Sequence, residues 1–363
     1  MSDVSKLLTL ADFRRLARAR LEPMTWDYYR SGADGETTLR ENRRAYGRWQ
    51  IWPRVLVDVS ERPLATTVLG TPVSMPVLVA PTAYQRLAHD DGERATARAA
   101  AAAGTVMCVS TLATVALEDV AAAAPGAPRW FQLYVHKDRA LTQRLVERAA
   151  AAGYQAIVIT VDTPLLGRRV ADERNGFALP AHLTMANLAD AALLAARSDG
   201  SSLNSYFAAR HDAAFGWRDL AWLRALSPLP LVIKGVLRAD DAVRAVDAGC
   251  AAVVVSNHGG RQLDGAPATL EALPEVAAAV AGRAEVYVDG GVRWGSDVLK
   301  ALALGARAVM LGRPVLWGLA VDGEGGVRRV LEIVREELSR AMALSGCATL
   351  ASIDRDLVRP RRE

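Results

Sequence analysis

The segment SNHGGRQLD, beginning at Ser256, concentrates groups able to move a proton and to hold an anion. A histidine such as His258 can accept a proton near neutral pH, whereas Arg261 stays charged and can grip a carboxylate through two parallel hydrogen bonds. The intervening Gly259 and Gly260 permit a backbone path tight enough for both side chains to face one cavity. A second segment, TVDTPLLGRR, supplies Asp162, able to orient the His258 ring and stabilise its imidazolium, and Arg169, a second clamp for a carboxylate. Asp162 could equally cap a turn, and Arg169 could be solvated on a loop. A third signal has two parts, VDGGVRWGSDVLKALALG and AVMLGRP. Gly291 and Gly312 allow close backbone approach, helix-terminal amides can donate to phosphate, and Arg293 and Arg313 add charge beside Asp289.

These residues need elements that bring them together. Short apolar runs recur at 77–80, 105–110, 130–135, 156–162, 230–235, 251–257, 285–290 and 308–312, mostly separated by alanine-rich, helix-compatible segments. Strand followed by crossover helix, repeated about eight times, predicts an α/β fold, a closed parallel (β/α)8 TIM barrel. Polar residues gather where the strands end: Thr82, Ser110, Gln132 with Tyr134, Thr160 with Asp162, Lys234, Ser256 with His258, Asp289 and Arg313. Convergence at the C-terminal strand ends is what a barrel active site requires, and phosphate sites often follow strands seven and eight. Lys234 could stabilise negative charge on a reduced isoalloxazine or form a Schiff base, and the phosphate signal favours the flavin.

The expected organisation is one domain, 1–363. Residues 1–76 form an N-terminal extension of helices, a short hairpin and the aromatic segment WDYYRSGADGETTLRENRRAY, and 77–345 form the barrel. Residues 163–216 are too long for an ordinary connection and read as an active-site excursion after the fourth strand. A final helix near 326–345 should pack on the barrel, and VRPRRE reads as a solvated tail.

Composition narrows the alternatives. There are 44 Lys and Arg against 40 Asp and Glu, and the basic residues are dispersed, which argues against nucleic acid as a partner. Cys108, Cys250 and Cys347 lie in or beside apolar segments without ligand spacing, so buried thiols and no metal are expected. The N-terminus reads as a helix rather than a secretion signal, and AALLAA at 191–196 is too short to span a bilayer, so the expectation is cytoplasmic with no membrane partner.

The segments WDYYRSGA, PTAYQRLAH, FQLYV, TVDTPLLGRR, VIKGV, SNHGGRQLD, DGGVRWGSDVLKALALGA and LGRP occur in an order that resembles the FMN-dependent L-2-hydroxy acid oxidase and dehydrogenase family, from about Leu10 to Leu344. The resemblance implies oxidation of a 2-hydroxy acid to a 2-oxo acid. His258 would be the general base and Asp162 its partner, with Tyr28, Tyr134, Arg169 and Arg261 on the substrate side. Flavin contacts would come from Ala80, Thr82, Ser110, Gln132, Thr160, Lys234 and Ser256, and phosphate contacts from Asp289, Gly291, Arg293, Gly312 and Arg313.

One departure concerns specificity. Glycolate oxidases have a tryptophan where this chain has Leu112, and many small-acid oxidases differ at Tyr84; a smaller Leu112 reshapes the cavity. The wider sequence looks most like bacterial 4-hydroxymandelate oxidases, so the expectation leans to (S)-mandelate or (S)-4-hydroxymandelate, framed by Tyr28, Tyr84 and Tyr134. Oxygen would be the acceptor and hydrogen peroxide the coproduct. L-lactate or another short-chain acid is the alternative, and a catalytically silent barrel in an assembly a further one. The resemblance also implies a homo-oligomer, a tetramer, and leaves hydride and carbanion routes open. The excursion has no evident hydrophobic anchor and is shorter than that of lactate monooxygenases.

Overall fold

The computed structural model describes residues 4–188 and 209–361. Part of the expected 163–216 excursion, including AALLAA, therefore lies outside the described residues. Helix α1 (Leu10–Arg20) starts at a reciprocal cap in which the Thr9 side chain accepts from the Asp12 amide and Asp12 accepts from Thr9. Helix α2 (Pro23–Arg30) has proline in its first turn, and α3 (Thr37–Gly47) buries Thr38, Asn42, Ala45 and Tyr46. Strand β1 (Trp49–Ile51) follows, then an antiparallel hairpin of β2 (Thr66–Val68) and β3 (Thr71–Val73).

Eight parallel strands close the barrel: β4 (Val77–Val79), β5 (Met107–Ser110), β6 (Arg129–Leu133), β7 (Ala156–Thr160), β8 (Leu231–Val236), β9 (Ala252–Val255), β10 (Glu285–Asp289) and β11 (Ala308–Leu311). Side chains alternate across each strand, so both faces must be apolar where helices cover the outside. Val77, Val79, Phe131, Ile157, Ile159 and Val253 join the outer core under the helices. Leu78, Cys108, Trp130, Val158, Val232, Val254, Tyr287 and Met310 pack inside the barrel. One step of two residues further along, the inward positions turn polar at Ser110, Gln132, Thr160, Lys234, Ser256 and Asp289. The same alternation that fills the barrel thus sets a polar layer on top of it.

The hairpin closes the opposite end. Val68 and Val73 belong to the interior cluster, Glu285 at the start of β10 accepts from the Leu69 amide at 3.1 Å, and Arg307 before β11 donates to the Thr67 carbonyl at 2.8 Å.

The closing stretch Arg313–Leu344 holds two helices joined at non-helical Asp322 and Gly323, so the expected final helix near 326–345 follows a first one that starts at Arg313, and the stretch packs against the helix Gly92–Ala102 and α1. The expected solvated tail is corrected: Val358–Pro360 form β12, paired antiparallel with β1, and Val358 is fully buried. Beside this pairing the Arg355 and Arg359 guanidiniums lie 4.7 and 4.0 Å from the Trp49 and Trp52 ring centres.

Candidate active site

The polar layer is internally bonded. The Gln132 side-chain oxygen accepts from the Ser110 hydroxyl at 3.2 Å and the Thr111 amide at 3.1 Å, and its amide nitrogen donates to the Thr160 hydroxyl at 3.0 Å. Lys234 donates to the Ser256 hydroxyl at 3.1 Å and lies 3.5 Å from an Asp289 oxygen. Burial opposes the ammonium, but Asp289 and Asp162 outweigh it and hold the Lys234 pKa above the ordinary lysine value. A charged, immobile ammonium therefore stands in the barrel mouth.

His258 lies on the loop after β9 with a left-handed backbone, φ 58°. Its Nδ1 is 2.8 Å from an Asp162 carboxylate oxygen on the loop after β7. Burial depresses the His258 pKa below 6.5, Lys234 reinforces that, and Asp162 opposes it without prevailing. The imidazole is thus neutral near pH 7 with Nδ1–H held by Asp162, which leaves Nε2 as the free base. Asp162 itself, despite burial, is kept below the ordinary aspartate value by His258 and Lys234.

Two arginines bracket Tyr28. Their guanidinium carbons lie 5.0 Å (Arg261) and 6.0 Å (Arg169) from its ring centre. Arg261 donates to the Tyr28 and Ser31 carbonyls at 2.6 and 3.0 Å, whereas Arg169 has a loose 4.0 Å pairing to Asp172 and a buried Nε without a partner. Burial, followed by repulsion from Arg169, pushes the Arg261 pKa down to about 10. This excess buried positive charge calls for an anion. Burial raises the pKa of both the Tyr28 and Tyr134 phenols, so each keeps a proton to donate.

The far end is built for a second anion. Gly290 and Gly291 have φ of 92° and 86°, and a Cβ on Gly291 would fall onto the Asn42 carbonyl. Gly312 caps the helix that begins at Arg313, whose amide end favours negative charge. Arg313 donates to three carbonyls, of Tyr29, Gly259 and Ser31, at 2.9–3.0 Å. Arg293 lies 4.9 Å from the Trp317 ring centre. Burial pushes the Arg293 pKa down to about 10 and the Arg313 pKa well down. Two desolvated cations with largely neutral partners, beside a glycine cradle, fit the phosphate of a bound mononucleotide, and the Lys234 layer fits an electron-accepting ring.

One cavity is lined by Tyr28, Leu112, Tyr134, Arg169, His258 and Arg261, among others. Ala80, Thr82, Ser110, Gln132, Thr160, Lys234, Asp289, Gly291, Arg293, Gly312 and Arg313 line it as well. Three expected residues stand behind this wall. Asp162 reaches it through His258, and Ser256 through Lys234 and Asp289. Tyr84 is the correction: it is 1% exposed, and its ring packs 5.6 Å from Tyr28 and 6.4 Å from Phe177. Packed there, it supports Tyr28 and is not itself among the residues that line the cavity. Asp289 belongs with Lys234 and Ser256, because a carboxylate repels phosphate.

The sequence reading missed several contributors. Phe177 stacks on Tyr28 at 4.1 Å, Asn42 pairs with Asn257 under the His258 loop, and Gln262 bonds to the Asp162 loop. Gln262 stands inside SNHGGRQLD, so its place in the motif was the available signal. Among the described residues no cluster of His, Cys, Asp and Glu could hold a metal, and no helix is long and apolar enough to cross a membrane.

The FMN-dependent dehydrogenase family profile matches residues 17–360. An L-lactate oxidase of Nostoc sp. (strain PCC 7120 / SAG 25.82 / UTEX 2576) is 55% identical over 359 residues, 98% of each chain. The 2-hydroxyacid oxidase 1 of Homo sapiens is 52% identical, over 98% of this chain and 97% of that one. The solved structure of mandelate oxidase with (S)-4-hydroxymandelic acid aligns with a TM-score of 0.92 at 45% identity, over 98% of this chain and 99% of that one.

Proposed function

Since the chain belongs to the FMN-dependent dehydrogenase family, whose enzymes use bound FMN to oxidise 2-hydroxy acids to 2-oxo acids, we propose that its own substrate is an (S)-2-hydroxy acid with a carbon side chain on C2, in preference to glycolate. The observation that carries this is Leu112, a leucine that lines the same cavity as the carboxylate clamp and the polar layer. L-lactate is the first reading. The aryl expectation counted on Tyr84 as a wall residue, and Tyr84 is buried against Tyr28 without lining the cavity; the L-lactate oxidase also shares more residues with this chain than the mandelate oxidase does. (S)-Mandelate is the second reading, favoured by the fold-level match to mandelate oxidase and by Tyr28 and Tyr134 at the cavity.

Arg169 and Arg261 hold the substrate carboxylate, and Tyr28 and Tyr134 donate to its oxygen atoms. The neutral His258 accepts a substrate proton at Nε2, and Asp162 stabilises the imidazolium that results. Ala80, Thr82, Ser110, Gln132 and Thr160 would hold the flavin, and Gly291, Arg293, Gly312 and Arg313 its phosphate. Bound FMN supplies the two-electron acceptor. Lys234, kept charged by Asp289, places a fixed positive charge where negative charge accumulates. Oxygen is the proposed final acceptor, taking two electrons and two protons to become hydrogen peroxide. The proposed setting is cytoplasmic, as a homotetramer.

Anaerobic mixing of the holoenzyme with L-lactate, (S)-mandelate, (S)-4-hydroxymandelate and glycolate, followed by loss of flavin absorbance, tests the reading. A higher limiting rate and kcat/KM for glycolate than for the other three overturns the substrate assignment. Peroxide formation on admitting oxygen tests the acceptor.

A further inference from the structure

Gln262 sits four residues beyond His258 and is 7% exposed. Its side-chain oxygen accepts from the Gly167 amide at 3.0 Å, and its nitrogen donates to the Asp162 and Leu165 carbonyls at 2.9 and 2.8 Å. Two acceptors on one side and a donor on the other permit a single orientation of the amide. The loop after β7 also lies directly against the loop after β9. A Cβ on Gly167 would meet the Gln262 Cα at 2.7 Å and collide with the Arg261 carbonyl oxygen. His258 and Asp162 come from positions 96 apart in the chain, and the single contact between their side chains is 2.8 Å long. A hydrogen bond of that length tolerates little movement between the loops that carry its ends.

We propose that Gln262 is a positioning residue that locks the Asp162 loop to the His258 loop, fixing the His258–Asp162 pair and, two residues beyond Gly167, the register of Arg169 against Arg261. The proposal rests on the reading of His258 as the base. Gln262 touches neither reactant; it acts through the backbone of Asp162.

The test uses FMN-loaded Gln262→Leu, with flavin reduction expressed per bound flavin. Leucine fills the same space and keeps water out, so burial of His258 is unchanged while its hold on Asp162 loosens. The expected result is a limiting reduction rate lower by about 10- to 100-fold, a raised KM, and an acid limb of kcat/KM displaced to lower pH because the carboxylate no longer favours the imidazolium. A merely structural role would lower thermal stability and flavin content but leave the limb and the per-flavin rate unchanged, and that outcome overturns the proposal. If Gln262→Leu does not load flavin, Gln262→Met decides in the same way, since it fills a similar volume without charge and loses both the acceptor for Gly167 and the donors to Asp162 and Leu165. His258→Gln separates the two readings. A His258→Gln enzyme that reduces its flavin at the wild-type rate removes the base assignment, whereas a slow His258→Gln beside a normal Gln262→Leu removes the Gln262 proposal alone.

Discussion

Asn42 on α3 and Asn257, the residue before His258, exchange both side-chain amide hydrogen bonds, each 2.8 Å long, across 215 positions of sequence. Asn257 also accepts from the Gly260 amide and donates to the Pro267 carbonyl, and Asn42 accepts from the Thr269 amide. The N-terminal extension is therefore the floor on which the His258 loop is built. Asn42→Ala takes two hydrogen bonds from the Asn257 amide, which keeps Gly260 and Pro267, and leaves the Thr269 N–H without its partner, a buried group that costs about 1–3 kcal/mol when unpaired. Denaturant unfolding should show a loss of that order with a fall in flavin reduction, although Asn42 does not line the cavity. Unchanged stability would sink this account of the extension.

The acid limb of the kcat/KM profile reports His258. Its folded pKa is depressed below 6.5, so the base stays competent to lower pH than an ordinary histidine would, and activity falls by about tenfold per pH unit beneath that pKa. Stopped-flow reduction across pH should place the midpoint below 6.5. In Asp162→Asn the limb should move lower still, because the group that favours the imidazolium is gone, with kcat down by on the order of 10²–10⁴. An upward shift in Asp162→Asn contradicts the argument.

The two clamp arginines should separate on substitution by lysine. The Arg169 guanidinium is tied to its protein neighbours only loosely, by a 4.0 Å pairing to Asp172 and its approach to Tyr28, so Arg169→Lys should lower kcat/KM by a factor of about 10 to 160, equivalent to about 1.5–3 kcal/mol, with the melting temperature little changed. Arg261→Lys should do the same and also destabilise the fold, because the Arg261 guanidinium holds the Tyr28 and Ser31 carbonyls. Differential scanning fluorimetry beside steady-state kinetics checks both. Equal stability of the two variants counts against this division of labour.

Leu112→Trp should move preference toward glycolate. An indole in this wall takes up the space of the substrate side chain, and such contacts discriminate by about 1–3 kcal/mol, roughly 10- to 200-fold in relative kcat/KM. Competition between L-lactate and glycolate, read by product ratio, measures it directly. A ratio indistinguishable from wild type means that Leu112 does not contact the side chain.

Legibility in the sequence followed the reach of local pattern. The barrel could be read because each strand is apolar on both faces for several residues and then presents one polar inward residue; Ser110, Gln132, Lys234 and Asp289 announced themselves by breaking an apolar run. Phe177 and Asn42 carry no such signal, since each acquires its role only from a partner distant in the chain. Tyr84 misled because its residue type fits an aromatic pocket, whereas its ring is buried against Tyr28 and Phe177, a packing that no local pattern reports. The tail misled in a similar way: four charged residues in VRPRRE hid a buried Val358 that completes a two-stranded sheet with β1.

The β2–β3 hairpin seals the floor of the barrel with Val68 and Val73, and Asn42 of the same extension underlies the catalytic loop. Residues 77–345 are consequently not a transplantable cassette. A fragment begun at Val77 would open a hydrophobic hole at one end and undercut the histidine at the other, so chimaeras that exchange substrate preference between such enzymes should be cut within the loops above the strands, with the first 76 residues travelling with their own barrel.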